Sequence, residues 1–233
     1  RYSYFLEVTL TEQSPKLEFS EKYSPEHARA YHAKHQAGLA RRFSNWWEHR
    51  MARRALALAG NPKSVLDLPC GAGRFWGMLA EDPERVLYAA DNSENMVAVA
   101  DHSHPPELRG RFKLFQTSAF AIDLPDGAVE NVFCMRLLHH IAEPEHRLQI
   151  YREFHRVASD SVCLSLWVDG NFKAWRRKRL EARRRDKPYR NRLVLTRELA
   201  EAEFRQAGFE VVGHVDFLPY YAMWRTYVLK RRD

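Results

Sequence analysis

Between Ser64 and Val168 short apolar runs alternate with helical patterns, and that alternation limits the chain to a narrow set of folds. Strand-like runs cover 64–70, 85–91, 111–118, 131–138 and 161–168. Helical periodicity fills 74–80, 93–102 and 144–158 between them, and a loop, Asp123-Leu124-Pro125-Asp126-Gly127, precedes the fourth strand. Runs apolar along their whole length belong to strands buried on both faces, so the pattern predicts a parallel sheet sandwiched between helices. Thr196 to Ala207 reads as a further helix stopped by Gly208. The runs 209–218 and 222–230 then close the chain, separated only by Pro219-Tyr220-Tyr221. So short a connection predicts an antiparallel pair at one edge of the sheet.

The stretch Val65-Leu66-Asp67-Leu68-Pro69-Cys70-Gly71-Ala72-Gly73 ends the first strand in a small-residue turn. Glycines there let the backbone approach a ligand closely, and a helix starting near Arg74 would present free N–H groups to an anionic group. Asp67 ends the first strand and Asp91 the second, 20 residues beyond Gly71. A carboxylate at the second position hydrogen-bonds ribose hydroxyls in dinucleotide enzymes and in nucleoside-sulfonium enzymes alike. The tail separates the two. A helix ending Ala207-Gly208-Phe209 followed by a terminal hairpin is unusual for a nicotinamide enzyme, as is an acid in place before the glycine turn.

Taken together, these residues resemble the class I S-adenosylmethionine-dependent methyltransferases, particularly the small-molecule type. The resemblance covers roughly 61–169 and 195–229. It rests on the glycine turn, Ala90-Asp91-Asn92-Ser93, the Asp123–Gly127 loop, Leu138-His139-His140-Ile141 and Ala207-Gly208-Phe209, in that order. It implies S-adenosyl-L-methionine as cofactor. Asp67, Pro69, Cys70, Gly71, Gly73 and Arg74 would line its methionine end, with Asp91 on the ribose and Asn92 beside the adenine. Ser118, Ala119 and Phe120 fall where the family often carries an adenine-binding carboxylate, and Met135 and Arg136 would flank the sulfonium. Two departures stand out: Pro69 replaces the family's usual first glycine, and Ser118 offers a hydroxyl where a charged oxygen would accept more strongly. His139 and His140 are the candidate bases, although in this fold such a pair usually braces the strand-to-helix turn. Arg74 and Arg136 are either structural or hold a cofactor or substrate anion. Tyr31, Tyr220, Tyr221 and Trp224 are candidate substrate walls, against the alternative of plain packing.

The fold implied is a Rossmann-like, doubly wound, mostly parallel seven-stranded sheet with a C-terminal antiparallel hairpin, in one domain spanning 1–233. Residues 1–60 would form a helical N-terminal cap, with a helix from Ser24-Pro25 to Gly60 broken near 42–44. The cofactor-binding core would be 61–169, a basic cap insertion 170–194, and the closing helix and hairpin 195–233. Its 233 residues suffice for a large core, and no apolar run reaches the roughly 20 residues that span a bilayer. Cys70, Cys134 and Cys163 are isolated and strand- or turn-like, so buried free thiols and a cytoplasmic setting are expected. No metal-ligand spacing occurs.

The net charge of +7 is local. Lys173 to Arg192 holds eleven Lys/Arg against Glu181 and Asp186, leaving the remainder slightly acidic. So dense a charge repels itself unless an anion is near. The insertion is expected to take a phosphorylated or lipid-linked anionic substrate, or an acidic protein partner. With few interleaved aromatics and no recognition fold, nucleic acid is not expected. The reading is therefore in-line methyl transfer to a small or anionic acceptor. Its alternative is a methyltransferase-fold adaptor that recruits an acidic protein or an anionic cell-envelope component with little catalysis.

Overall fold

The computed structural model describes residues 39–182 and 193–232. Helix α1 (Leu39–Leu58) is continuous, so the break expected at 42–44 is absent: no Gly or Pro interrupts it, and the Ser44 hydroxyl donates to Glu48 one turn on (3.5 Å). Met51, Ala52, Ala55, Leu56 and Ala59 are buried at helical spacing along one stripe, and Gly60, at φ 92°, ends it. The alternation follows: β1 (Ser64–Asp67), α2 (Trp76–Leu79), β2 (Val86–Asp91), α3 (Glu94–His102), α4 (Pro106–Arg109), β3 (Phe112–Gln116), β4 (Val129–Cys134), α5 (Pro144–Val157) and β5 (Ala158–Trp167). Then come α6 (Phe172–Ala182), α7 (Arg197–Gln206), β6 (Phe209–Asp216) and β7 (Trp224–Arg231).

The seven strands form one sheet in the order β3-β2-β1-β4-β5-β7-β6. The first five are parallel, and β7 runs antiparallel to both β5 and β6. Both faces are covered because adjacent strand residues point opposite ways. In β4, Val132 and Cys134 join the cluster under α5 and α7, while Phe133 joins the one under α1 and α2. Burying a side chain such as Val132 or Phe133 contributes about 1.5–3 kcal/mol by its removal from water. Local chemistry sets the helix starts: the Ser93 hydroxyl accepts from Met96 N, and the Thr196 hydroxyl from Leu199 N. All three cysteines are buried and unpaired. No helix among the described residues is long and apolar enough to cross a membrane.

Strand order reverses between β2-β1 and β4-β5, so the carboxyl ends of β1 and β4 open side by side at the switch point where ligands of open α/β sheets bind. The structure shortens two expected elements there. The helix after the glycine turn is a single turn, Trp76–Leu79, which leaves little macrodipole to offer an anion. Strand β4 stops at Cys134 because Arg136 adopts left-handed φ (67°). From there the chain bends into a 3-10 turn, Leu138–His140.

Candidate active site

Asp91 ties the glycine turn to the end of β2. One carboxylate oxygen accepts from Gly71 N (3.0 Å) and the other from Ser93 N (2.9 Å), while Cys70 N donates to the Ala90 carbonyl (2.8 Å). Each carboxylate oxygen accepts more than one hydrogen bond, so Asp91 retains capacity for hydroxyl donors. Burial raises its pKa, opposed by the backbone donors of Ser93, Gly71 and Asn92. Asp67 is more extreme. Its carboxyl is pushed well above the usual range by burial and then by the nearby Asp91 charge. One of its oxygens is buried without a hydrogen-bond partner. The Trp76 indole acts on this carboxyl in the opposite direction, but its N–H does not reach hydrogen-bonding geometry, so its support is weak.

The two glycines differ. Gly71 (φ 54°) has only the Met96 methyl, 3.7 Å away, beside the place a Cβ would take, so its flank is open. At Gly73 (φ 72°) a Cβ would lie 2.4 Å from His104 Nε2 and 2.8 Å from the Trp76 ring. That space is filled by the protein itself. His104 reaches the Ala72 carbonyl (3.0 Å) and stacks on Trp76 at 4.9 Å. It braces the turn, a role its loop context in the sequence did not show. Arg74 is likewise engaged by protein: its Nε donates to Asn45 (2.8 Å), and its guanidinium pairs with Glu48 (2.9 Å), both on α1. Pro69 follows Leu68 through a cis peptide. Asn92 is exposed. The Ser118 hydroxyl accepts from Phe120 N (3.2 Å) and so is used by its own turn, with Ala119 and Phe120 buried in the core.

One strand over, a small pocket forms where β4, β5 and β7 meet α1. Its floor is Met135, Arg136 and His139, and its walls are Trp167 and Ser165 from β5 with Trp224 and Thr226 from β7. Glu48 and Met51 of α1 and Phe75 of the glycine turn complete the lining. Left-handed Arg136 is held by donation of its N–H to Ser165 Oγ (2.8 Å), and its guanidinium lies 4.7 Å from the Trp224 ring. The His139 ring is parallel to Trp167, 4.9 Å away. Its carbonyl accepts from Leu193 N (2.7 Å). The loop after it is gripped by buried Arg147, which donates to the Ile141 (2.9 Å) and Ala142 (2.6 Å) carbonyls and to Glu203 on α7 (2.9 Å).

Three of the residues expected from sequence therefore share this pocket: Met135, Arg136 and His139. His140 packs behind, its ring 4.2 Å from that of His139. Tyr220 and Tyr221 lie elsewhere. Tyr220, at φ 63° in the β6–β7 turn, is 88% exposed, and Tyr221 stacks on Phe172, so neither reaches the pocket. Tyr31 lies outside the described residues. Trp224, a candidate wall from sequence, does line it, and Glu48, Phe75 and Trp167 line it in roles that the sequence did not show. Trp167 had a usable signal in its position at the carboxyl end of β5.

Residues 65–161 match the family described as "Methyltransferase domain". This stretch is a class I methyltransferase domain. A demethylmenaquinone methyltransferase from Geobacillus kaustophilus is 30% identical over 123 residues, covering 51% of this chain and 50% of that protein; the match thus spans half the length of that curated relative. Magnesium protoporphyrin IX methyltransferase from Synechocystis, solved with bound SAH, superposes with a TM-score of 0.65 at 15% identity, over 84% of this chain and 88% of that one. A chain from the complex of the Haloferax volcanii Trm112 methyltransferase activator with a methyltransferase superposes at 0.62 and 15% identity, over 94% of this chain and 100% of its own. The domain thus extends beyond the matched stretch as a complete methyltransferase fold, with the hairpin in place.

Proposed function

We propose that the chain transfers the methyl group of S-adenosyl-L-methionine to a small, flat, lipid-linked acceptor. The pocket between Trp167 and Trp224 carries this reading: it adjoins the glycine turn through Phe75, and aromatic and thioether side chains share its lining with Glu48, Arg136, His139 and the hydroxyls of Ser165 and Thr226. The cofactor's activated sulfonium supplies a methyl electrophile, so the protein's share is alignment, exclusion of water and handling of a proton.

The residues present fit that cofactor. Asp91 has acceptor capacity for ribose hydroxyls, Gly71 has an open flank, and the unpartnered Asp67 oxygen suits an ammonium donor, whose charge would also lower the cost of burying that carboxylate. Met135 lies at the junction of the two compartments. In the acceptor pocket Trp167 and Trp224 supply aromatic walls beside a planar ring, and Arg136 offers its charge to an anionic oxygen on it. His139, fixed by Trp167, is the group placed to take the acceptor's proton, while Glu48 is engaged by Arg74. The Geobacillus relative is named a demethylmenaquinone methyltransferase, and a quinone acceptor agrees with a flat ring.

Incubation with methyl-labelled cofactor and total lipid extract tests the reading. Label should enter the organic phase, and His139→Gln should slow its entry by about 10²–10⁴-fold. No methylated product in any fraction, together with a protein partner retained by the chain, would instead support the adaptor.

A further inference from the structure

Helix α6 is built inside out. A surface helix ordinarily turns its apolar stripe inward, and α6 does bury Ala174 and lay Arg177 over the Trp167 ring (5.6 Å). Its large apolar residues face the other way: Phe172, Trp175 and Leu180 are 47%, 54% and 48% exposed. With Arg176 and Arg179 they fall within an arc of about 140° at 3.6 residues per turn, opposite Ala174. The patch continues onto the β6–β7 turn, whose carbonyls at Tyr220 and Tyr221 accept from Phe172 N (2.9 Å) and Lys173 N (3.0 Å). Phe172 lies 5.8 Å from both Tyr221 and Trp175. Lys173 lies over Tyr221 (5.2 Å) and Arg179 over Trp175 (5.1 Å). Among the described residues, the one ion pair on this helix is Arg177–Glu181, so no carboxylate neutralises Lys173, Arg176, Lys178 or Arg179.

We propose that this face docks on an anionic phospholipid bilayer. Exposed aromatic rings on this helix, interleaved with long cations that have no carboxylate partner among the described residues, match the headgroup region of such a surface. The rings seat at the acyl boundary while the cations take lipid phosphates. A purely acidic protein partner would use the charge but leave Phe172 and Trp175 unexplained. Trp167 links the surface to the site, since α6 covers it from outside while it walls the pocket from inside. The docked face therefore brings that pocket to acceptors resident in the membrane, a consequence that rests on the methyl-transfer reading, whereas docking itself does not.

Flotation with phosphatidylcholine vesicles, with and without phosphatidylglycerol, tests it on the full chain. Binding is expected to the anionic vesicles, weakened by salt, with far less to the neutral ones. Arg176→Gln with Arg179→Gln should lower partitioning by about 25-fold, about fivefold per cation, and Phe172→Ser with Trp175→Ser by about tenfold or more. Both variants change exposed side chains and should bind the demethylated cofactor as the parent does. Equal binding to both vesicle types, binding to neither, or undiminished binding by the aromatic variant overturns the proposal. Lost vesicle binding with intact cofactor binding refutes docking alone. Vesicle binding without cofactor binding refutes methyl transfer alone.

Discussion

The Glu48 carboxylate on α1 lies 2.9 Å from the Arg74 guanidinium of the glycine turn, with both side chains largely buried. The N-terminal helix is thereby fastened to the glycine turn, beside the pocket that Glu48 lines. Removing one partner of a buried pair strands the other's charge.

Glu48→Ala should therefore cost about 1–3 kcal/mol, read as a lower thermal midpoint. Arg74→Ala should cost a similar amount, and a double-mutant cycle should show the two coupled by about 0.5–3 kcal/mol. If Arg74→Ala abolishes cofactor binding while Glu48→Ala leaves it intact, Arg74 serves the ligand directly and the tether account is wrong.

Substitution should separate the two glycines of the turn. Gly73→Ala adds a Cβ into His104 and Trp76 at left-handed φ, so it should destabilise the fold by about 1–3 kcal/mol or more. Gly71→Ala meets little protein and should cost about 1 kcal/mol of stability, while cofactor affinity falls more. Denaturant titration beside calorimetry distinguishes them. Equal stability losses would contradict the assignment of the open flank to Gly71.

Asp67 gives a pH signature. Burial and the Asp91 charge raise its folded pKa above the ordinary 3.8. The folded state then binds more protons than the unfolded one, and stability falls as pH climbs from that value through the folded pKa. Asp67→Asn removes the penalty, so without cofactor it should melt a few degrees higher than the parent at neutral pH. The gap should close as pH falls toward 3.8. A gap that widens on acidification would mean the carboxylate is stabilised by partners.

Where burial patterns decide structure, the sequence was informative. Five apolar runs became five parallel strands, and the closing pair became the antiparallel edge. What it could not carry was backbone handedness and pairing across distance. Met135 to Leu138 is apolar enough to extend β4, yet Arg136 turns left-handed and ends it. Glu48 looks like any exposed helix acid until Arg74 comes against it. Of the aromatic residues around the hairpin turn, Trp224 lines the pocket, whereas Tyr220 faces solvent and Tyr221 stacks on Phe172. The helix of the basic insertion was foreseen in part, but the outward direction of its aromatic residues shows only in three dimensions.

The account depends above all on Asp91 and the glycine turn gripping a nucleoside. Calorimetry with S-adenosylhomocysteine on the parent chain and on Asp91→Asn tests this directly. The parent should bind one equivalent, and the variant, which keeps an oxygen acceptor but loses the charge, should bind about tenfold to a hundredfold more weakly. No binding by the parent, or equal affinity in the two proteins, would contradict it.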